Sequence, residues 1–124
     1  MKKKAIIISI KGFKLSKKEK LLLLNEKPWG LILFKRNIKS LNQIKFLIIN
    51  IKKLTKDKNF PILIDEEGTA VSRLTNIINH KFSAAYFGKL YLNDKRLCIS
   101  LYKKYLDSLC KVLNSIGLNI NTIP

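Results

Sequence analysis

The stretch Pro61–Leu74, PILIDEEGTAVSRL, decides how the rest of the chain is read. Pro61 to Ile64 form a short apolar run, as expected for a strand buried on both faces. The run turns acidic at Asp65, Glu66 and Glu67 and breaks at Gly68. The chain has eight acidic residues against 25 basic ones, so three in a row are conspicuous. Open parallel sheets and (β/α) barrels bind their ligands at the C-terminal ends of strands. Asp65 is therefore the first residue to assign to chemistry. A competing reading, in which Asp65 caps a turn and the glutamates are solvated, stays open on these residues alone.

Upstream of this stretch the same alternation repeats. Ala5–Ile10 is a dense β-branched run, read as a buried strand. Ser16-Lys17-Lys18-Glu19 fits a capping box, with a short helix through Leu24. Gly30–Phe34, GLILF, is a second strand ending in the polar Lys35-Arg36-Asn37. Ser40 caps a helix whose apolar residues Leu41, Ile44, Leu47, Ile48, Ile51 and Leu54 recur at three- and four-residue spacing. Downstream, Thr69–Ser83 is aperiodic, a loop with a helical turn in which His80 reads as a surface residue. One long helix is expected from Leu92 to Ile116, its stripe running through Cys98, Leu101, Tyr102, Tyr105, Leu109, Val112, Leu113 and Ile116. The tyrosines on it read as packing at the core edge. Gly117 suits the helix end, and Leu118–Ile123 begins a fourth strand.

Buried strands alternating with amphipathic helices give an α/β fold with a parallel sheet and right-handed crossovers. A complete barrel takes about 250 residues, so 124 residues ending at the start of a strand fit an incomplete one.

The net charge of +17 invites a nucleic-acid reading. Its make-up argues otherwise. Lysine supplies 22 of the 25 basic residues, and Lys, Ile and Asn together make up 51 of the 124. All three have A/T-rich codons, so base composition alone produces this bias. Arginine, whose planar fork reads bases and clamps phosphates, occurs only as Arg36, Arg73 and Arg96. A lysine-rich solvated surface follows, with at most weak polyanion binding at low salt and no specific nucleic-acid partner. The remaining alternative is a small basic nucleic-acid-binding α/β protein. Another places Mg²⁺ or phosphate at Asp65, Glu66 and Glu67. Neighbouring strand residues point to opposite faces, so those three converge only if the chain turns at Glu66.

Cys98 and Cys110 would lie about 18 Å apart along one helix, beyond disulfide reach. Reduced thiols in an intracellular protein are the simplest account. The N-terminal apolar stretch is too short for a signal peptide or a membrane span. No membrane association is expected, and the cytoplasm is the default location.

The strings GLILFKRNI (30–38), Gln43, LIDEEGTAVSRL (63–74) and GLNINTIP (117–124) resemble glycoside hydrolase family 3. Within it they are most similar to bacterial β-N-acetylhexosaminidases of cell-wall recycling. The resemblance runs in order and spacing over nearly the whole chain, and it implies the N-terminal part of a TIM-type (β/α) barrel over residues 1–124. It also implies a retaining glycosidase mechanism, with N-acetylglucosamine-containing cell-wall fragments as the carbohydrate partner. No metal or organic cofactor is implied. Asp65 matches the family aspartate that holds sugar hydroxyls, and Arg73 matches the final arginine of the same string. The Arg73 role is read as support, pairing with Glu66 or Glu67. The chain departs from the family at Thr69-Ala70, where a glycine and an arginine are lost. The family's aspartate nucleophile and histidine acid/base lie beyond the point matched by Pro124. No catalytic residue is thus expected within this chain, and His80 does not match the catalytic histidine. Open sheet edges predict poor solubility for the chain by itself.

Overall fold

The computed structural model describes residues 3–123. Four strands, β1 (Lys4–Ser9), β2 (Pro28–Leu33), β3 (Ile62–Ile64) and β4 (Ile120–Asn121), form one sheet in the order β1-β2-β3-β4. All three pairings are parallel, with Leu31 opposite Ile62 and Leu63 opposite Ile120. The order never reverses. A doubly wound sheet would reverse at a switch point, whereas consecutive parallel neighbours are the arrangement of a barrel segment. The sheet is α/β as expected, and open rather than closed.

Four helices connect the strands: α1 (Lys17–Glu26), α2 (Leu41–Thr55), α3 (Ala84–Asn93) and α4 (Lys95–Ile116). The capping box at α1 is complete. The Glu19 amide donates to Ser16 Oγ, and the Ser16 amide donates to Glu19 Oε2. Of the four consecutive leucines in α1 only Leu23 is buried, because a run without helical period cannot face one way. Ser40 caps α2 through the Gln43 amide, and the α2 stripe buries Ile44, Leu47, Ile48 and Ile51, while Leu41 at its start is exposed.

The core joins these α2 residues to Leu31, Leu33, Ile62 and Ile64 of the sheet and to Leu109, Leu113, Ile116 and Leu118. Ile62, Leu63 and Ile64 are all buried, so β3 is covered on both faces. Gly117 ends α4 with φ +99°, and a Cβ there would lie 2.9 Å from Ile48 Cγ2. Backbone conformation and close approach both require glycine at that position.

Three expectations need correction. The Ala5–Ile10 run is not a buried strand: Ile6 and Ile7 are exposed, and only Ile10, just past β1, is buried. Its place at the sheet edge, with a neighbour on one side only, explains this. The single helix expected from Leu92 is two helices broken at Asp94. That residue is extended (φ −146°, ψ 94°); its amide closes α3 on Leu90 O and its carboxylate takes the Leu97 amide to open α4. A capping aspartate satisfies the amides of a new helix more readily than the middle of an old one. Within α4, Leu101 and Tyr102 of the expected stripe are exposed, and the buried residues are Cys98, Leu109, Leu113 and Ile116. Finally, β4 is confined to two residues of the expected Leu118–Ile123, whereas Thr69–Ser83 is the expected loop with one helical turn, closed by the Ile78 amide on Leu74 O at 2.7 Å.

Candidate functional site

Asp65 follows β3 directly, at the C-terminal edge of the sheet. Its carboxylate receives two donors from distant parts of the chain. The Thr122 hydroxyl donates to Oδ1 and Arg73 Nη2 donates to Oδ2 at 3.1 Å. The Thr122 bond, outweighing the opposing effect of partial burial, and then the Arg73 contact hold the Asp65 carboxyl below its ordinary value. Its side chain is 23% exposed and that of Arg73 30%. Each carboxylate oxygen has a second lone pair beyond these bonds, so the pair is open to a ligand on its solvent side.

Arg73 therefore pairs with Asp65, not with Glu66 or Glu67 through its side chain as the sequence reading had it. Its Nε is buried without a hydrogen-bond partner. Its guanidinium lies 5.7 Å from the Phe34 ring centroid, and that of Arg36 lies 4.6 Å from the same ring. Arg36 is held by Ile10 O and Ser9 Oγ. Asn37, fully buried, donates to Ile10 O and Gly12 O and accepts the Phe34 amide. The loops after β1 and β2 are thereby tied together beside the Asp65–Arg73 pair.

Glu66 is the main surprise. The solvated reading of the glutamates fails for it: its side chain is 0% exposed. As the next residue after Asp65 it points to the opposite side, into the folded loop. Four donors reach its carboxylate. Ser72 Oγ and His80 Nε2 lie at Oε1, the latter at 2.6 Å, and the amides of Arg73 and Leu74 lie at Oε2 at 2.8 and 2.9 Å. Asn121 brackets the Glu66 peptide, accepting its N–H and donating to its C=O, each at 2.9 Å. Asn119 does the same one pleat earlier, accepting from Ile62 N and donating to Phe60 O.

His80 is likewise not a surface residue. Its side chain is 4% exposed, and Tyr105 Oη lies 2.8 Å from Nδ1. Burial, the Glu66 charge and Tyr102 push the Tyr105 hydroxyl above its ordinary value, so it keeps its proton. Tyr105 thus departs from its reading as mere core-edge packing. Gly68, at φ +128°, makes the turn that the Val71 carbonyl closes, and a Cβ there would lie 3.3 Å from Phe82 O. Thr69, where the family motif has glycine, lies within this turn with its side chain exposed.

The structure brings Asp65 and Arg73 together as site residues. Sequence reasoning missed Thr122, Glu66, His80 and Tyr105. One signal was available: Asn119 and Asn121 at alternate positions of a strand must share a face. Asp65, Glu66 and Glu67 do not converge, which removes the Mg²⁺ reading. Among the described residues no three His, Cys, Asp or Glu side chains group as metal ligands would. Cys98 and Cys110 are free thiols on α4. Among the described residues no helix is long and apolar enough to cross a membrane.

No protein-family profile matches the chain. Curated relatives do. A protein named beta-hexosaminidase from Thioalkalivibrio sulfidiphilus is 31% identical over 119 residues, covering 96% of this chain and 34% of the relative. Another of that name from Neisseria gonorrhoeae is 25% identical over 120 residues, covering 96% and 33%. In fold the chain is similar to NagZ from Neisseria gonorrhoeae, solved in complex with N-trifluoroacetyl-D-glucosamine. The TM-score is 0.90 at 26% identity, over 98% of this chain and 35% of that one. The chain spans about a third of the length of the curated relatives it matches.

Proposed function

We propose that this chain is the N-terminal part of a glycoside hydrolase family 3 β-N-acetylhexosaminidase and holds the sugar there, a reading supported by its likeness to beta-hexosaminidase and NagZ. The observation that carries this reading is the Asp65–Arg73 pair at the C-terminal edge of the sheet. A sugar hydroxyl donates and accepts at once, and a carboxylate beside a guanidinium offers both functions. Thr122 and Arg73 orient Asp65 so that its remaining lone pairs face outward to a hydroxyl. That a similar protein has been solved with an N-acylated glucosamine supports the sugar class. Terminal N-acetylglucosamine on cell-wall fragments, met in the cytoplasm, is the proposed substrate.

The reaction proposed for the whole protein is retaining hydrolysis. One carboxylate forms a glycosyl-enzyme intermediate and a separate acid/base protonates the leaving oxygen, then activates water. Neither group is assigned to residues 1–124, which would form a partial barrel domain. This chain contributes binding and orientation. Nucleic acid is left out as a specific partner, because lysine supplies 22 of the 25 basic residues and the arginine forks that read bases and clamp phosphates are scarce.

The test is an NMR titration of the chain with N-acetylglucosamine, with Asp65→Asn beside it. Perturbation of Asp65, Arg73 and Thr122 resonances, lost in the variant, is expected. Wild-type spectra unchanged at tens of millimolar sugar would sink the sugar reading. A protein that carries both the carboxylate nucleophile and the acid/base beside this fold should cleave a chromogenic β-N-acetylglucosaminide.

A further inference from the structure

The loop from 65 to 83 carries both members of the sugar-holding pair, yet has no regular secondary structure to fix it. What fixes it is a buried chain of side chains. Tyr105 on α4 reaches His80 Nδ1 at 2.8 Å, and His80 Nε2 reaches Glu66 Oε1 at 2.6 Å. The other Glu66 oxygen holds the amides of Arg73 and Leu74. The backbone of Arg73 is thus pinned from the side opposite to Asp65, and its guanidinium then reaches Asp65 Oδ2.

We propose that His80 is a positioning residue for the Asp65–Arg73 pair, acting through Glu66, with Tyr105 tethering its ring to α4. This deepens the sugar-holding reading, and its bearing on sugar affinity rests on that reading.

The physical requirement is specific. Glu66 has four acceptor positions and four donors, all inside the protein. A buried carboxylate deprived of one donor must find another or shift. The donors differ in freedom. Ser72 can rotate its hydroxyl, and the two amides belong to the segment being positioned. Of these four donors only His80, anchored on α4 through Tyr105, ties the Glu66 carboxylate to a rigid element. The Tyr105 hydroxyl donating to Nδ1 leaves the ring proton on Nε2, directed at Glu66. Loss of that hydroxyl cuts the ring's tie to α4, while the Glu66 carboxylate still holds the proton on Nε2. Asn121 clamps the Glu66 backbone to β4 but does not touch the segment at Arg73.

His80 is the only histidine, so its imidazole nitrogens give one set of NMR signals. The experiment compares the wild-type chain with Tyr105→Phe, His80→Phe and His80→Gln. Long-range ¹⁵N spectra read the tautomer, and the Asp65 carboxyl titration and Arg73 guanidinium signals read the positioning without any sugar. Wild type is expected to show the Nε2–H tautomer. In Tyr105→Phe the ring should keep its Nε2 proton but lose its tether, the Arg73 signals broaden and the Asp65 titration move up toward an ordinary aspartate. His80→Phe should change Arg73 and Asp65 in the same way more strongly, and His80→Gln, which keeps an amide donor, should recover most of the wild-type Asp65 titration. Where sugar binding is measurable, affinity should fall roughly threefold to tenfold in Tyr105→Phe, about 1 kcal/mol. The proposal is overturned if Asp65 and Arg73 are unchanged in a folded Tyr105→Phe, or if wild type carries the Nδ1–H tautomer. A chain that binds no sugar yet shows the expected shifts refutes the sugar reading and upholds the positioning.

Discussion

The Thr122 hydroxyl donates to Asp65 Oδ1 across 57 residues of sequence, and Thr122 N donates to Ile64 O at 2.9 Å. The fourth strand thereby sets the direction of the carboxylate that ends the third. Thr122→Val keeps the shape and removes the donor. The Asp65 titration should move up, and any N-acetylglucosamine affinity should fall by about 1 kcal/mol, near fivefold. Calorimetric or NMR titration of both chains checks this; equal affinities would show that Thr122 leaves Asp65 as it finds it.

Arg73→Ala removes the guanidinium and leaves Asp65 with Thr122 alone. A hydrogen bond to a charged group contributes about 1.5–3 kcal/mol, so sugar affinity should drop at least tenfold. Arg73→Lys should recover only part of it, because a point charge cannot present the planar fork. Both are read in the same titration.

Acid stability follows from three depressed carboxyls. Asp65 is lowered by Thr122 first and Arg73 after it, against partial burial. Asp57 is lowered by Lys3 and the Asn59 amide. Glu19 is raised by burial, but the amides of Ser16 and Lys11 outweigh that and lower it. Each folded value lies below its unfolded value, so the unfolded chain binds protons first as pH falls. The stability these groups contribute is complete above their ordinary values, 3.8 for the aspartates and 4.5 for Glu19. It is lost as pH drops through the folded values. Denaturant midpoints should be flat down to about pH 5 and fall below about pH 4. In Asp65→Asn the fall should be shallower.

Two local substitutions probe the frame. Ser16→Ala breaks the α1 capping box and should cost about 1 kcal/mol. Gly117→Ala puts a Cβ 2.9 Å from Ile48 Cγ2 at φ +99° and should cost more, about 1–3 kcal/mol. Urea unfolding gives both numbers, and a Gly117→Ala chain as stable as wild type would mean that the α4 end repacks freely.

The β1 edge carries exposed Ile6 and Ile7. An unpaired, apolar edge is a template for pairing with another chain. Light scattering should show concentration-dependent association, reduced in Ile7→Lys with little change in the unfolding midpoint.

The parallel α/β order, the Ser16 and Ser40 caps, the α2 stripe and the place of Asp65 at a strand end were legible from the chain, because each is a property of one element. Helical and strand periods report which way a single segment must face, and a cap lies within four residues of its partner. The Arg73 partner, the depth of Glu66, the burial of His80 and the break at Asp94 were not legible. Glu66 and His80 are 14 residues apart in an aperiodic loop, Tyr105 is 25 beyond His80, and Thr122 and Asp65 follow the ends of different strands. No local pattern specifies such meetings. A polar side chain taken out of water must find donors wherever the packed elements place them, and only the tertiary arrangement of β3, β4 and α4 decides which ones are there.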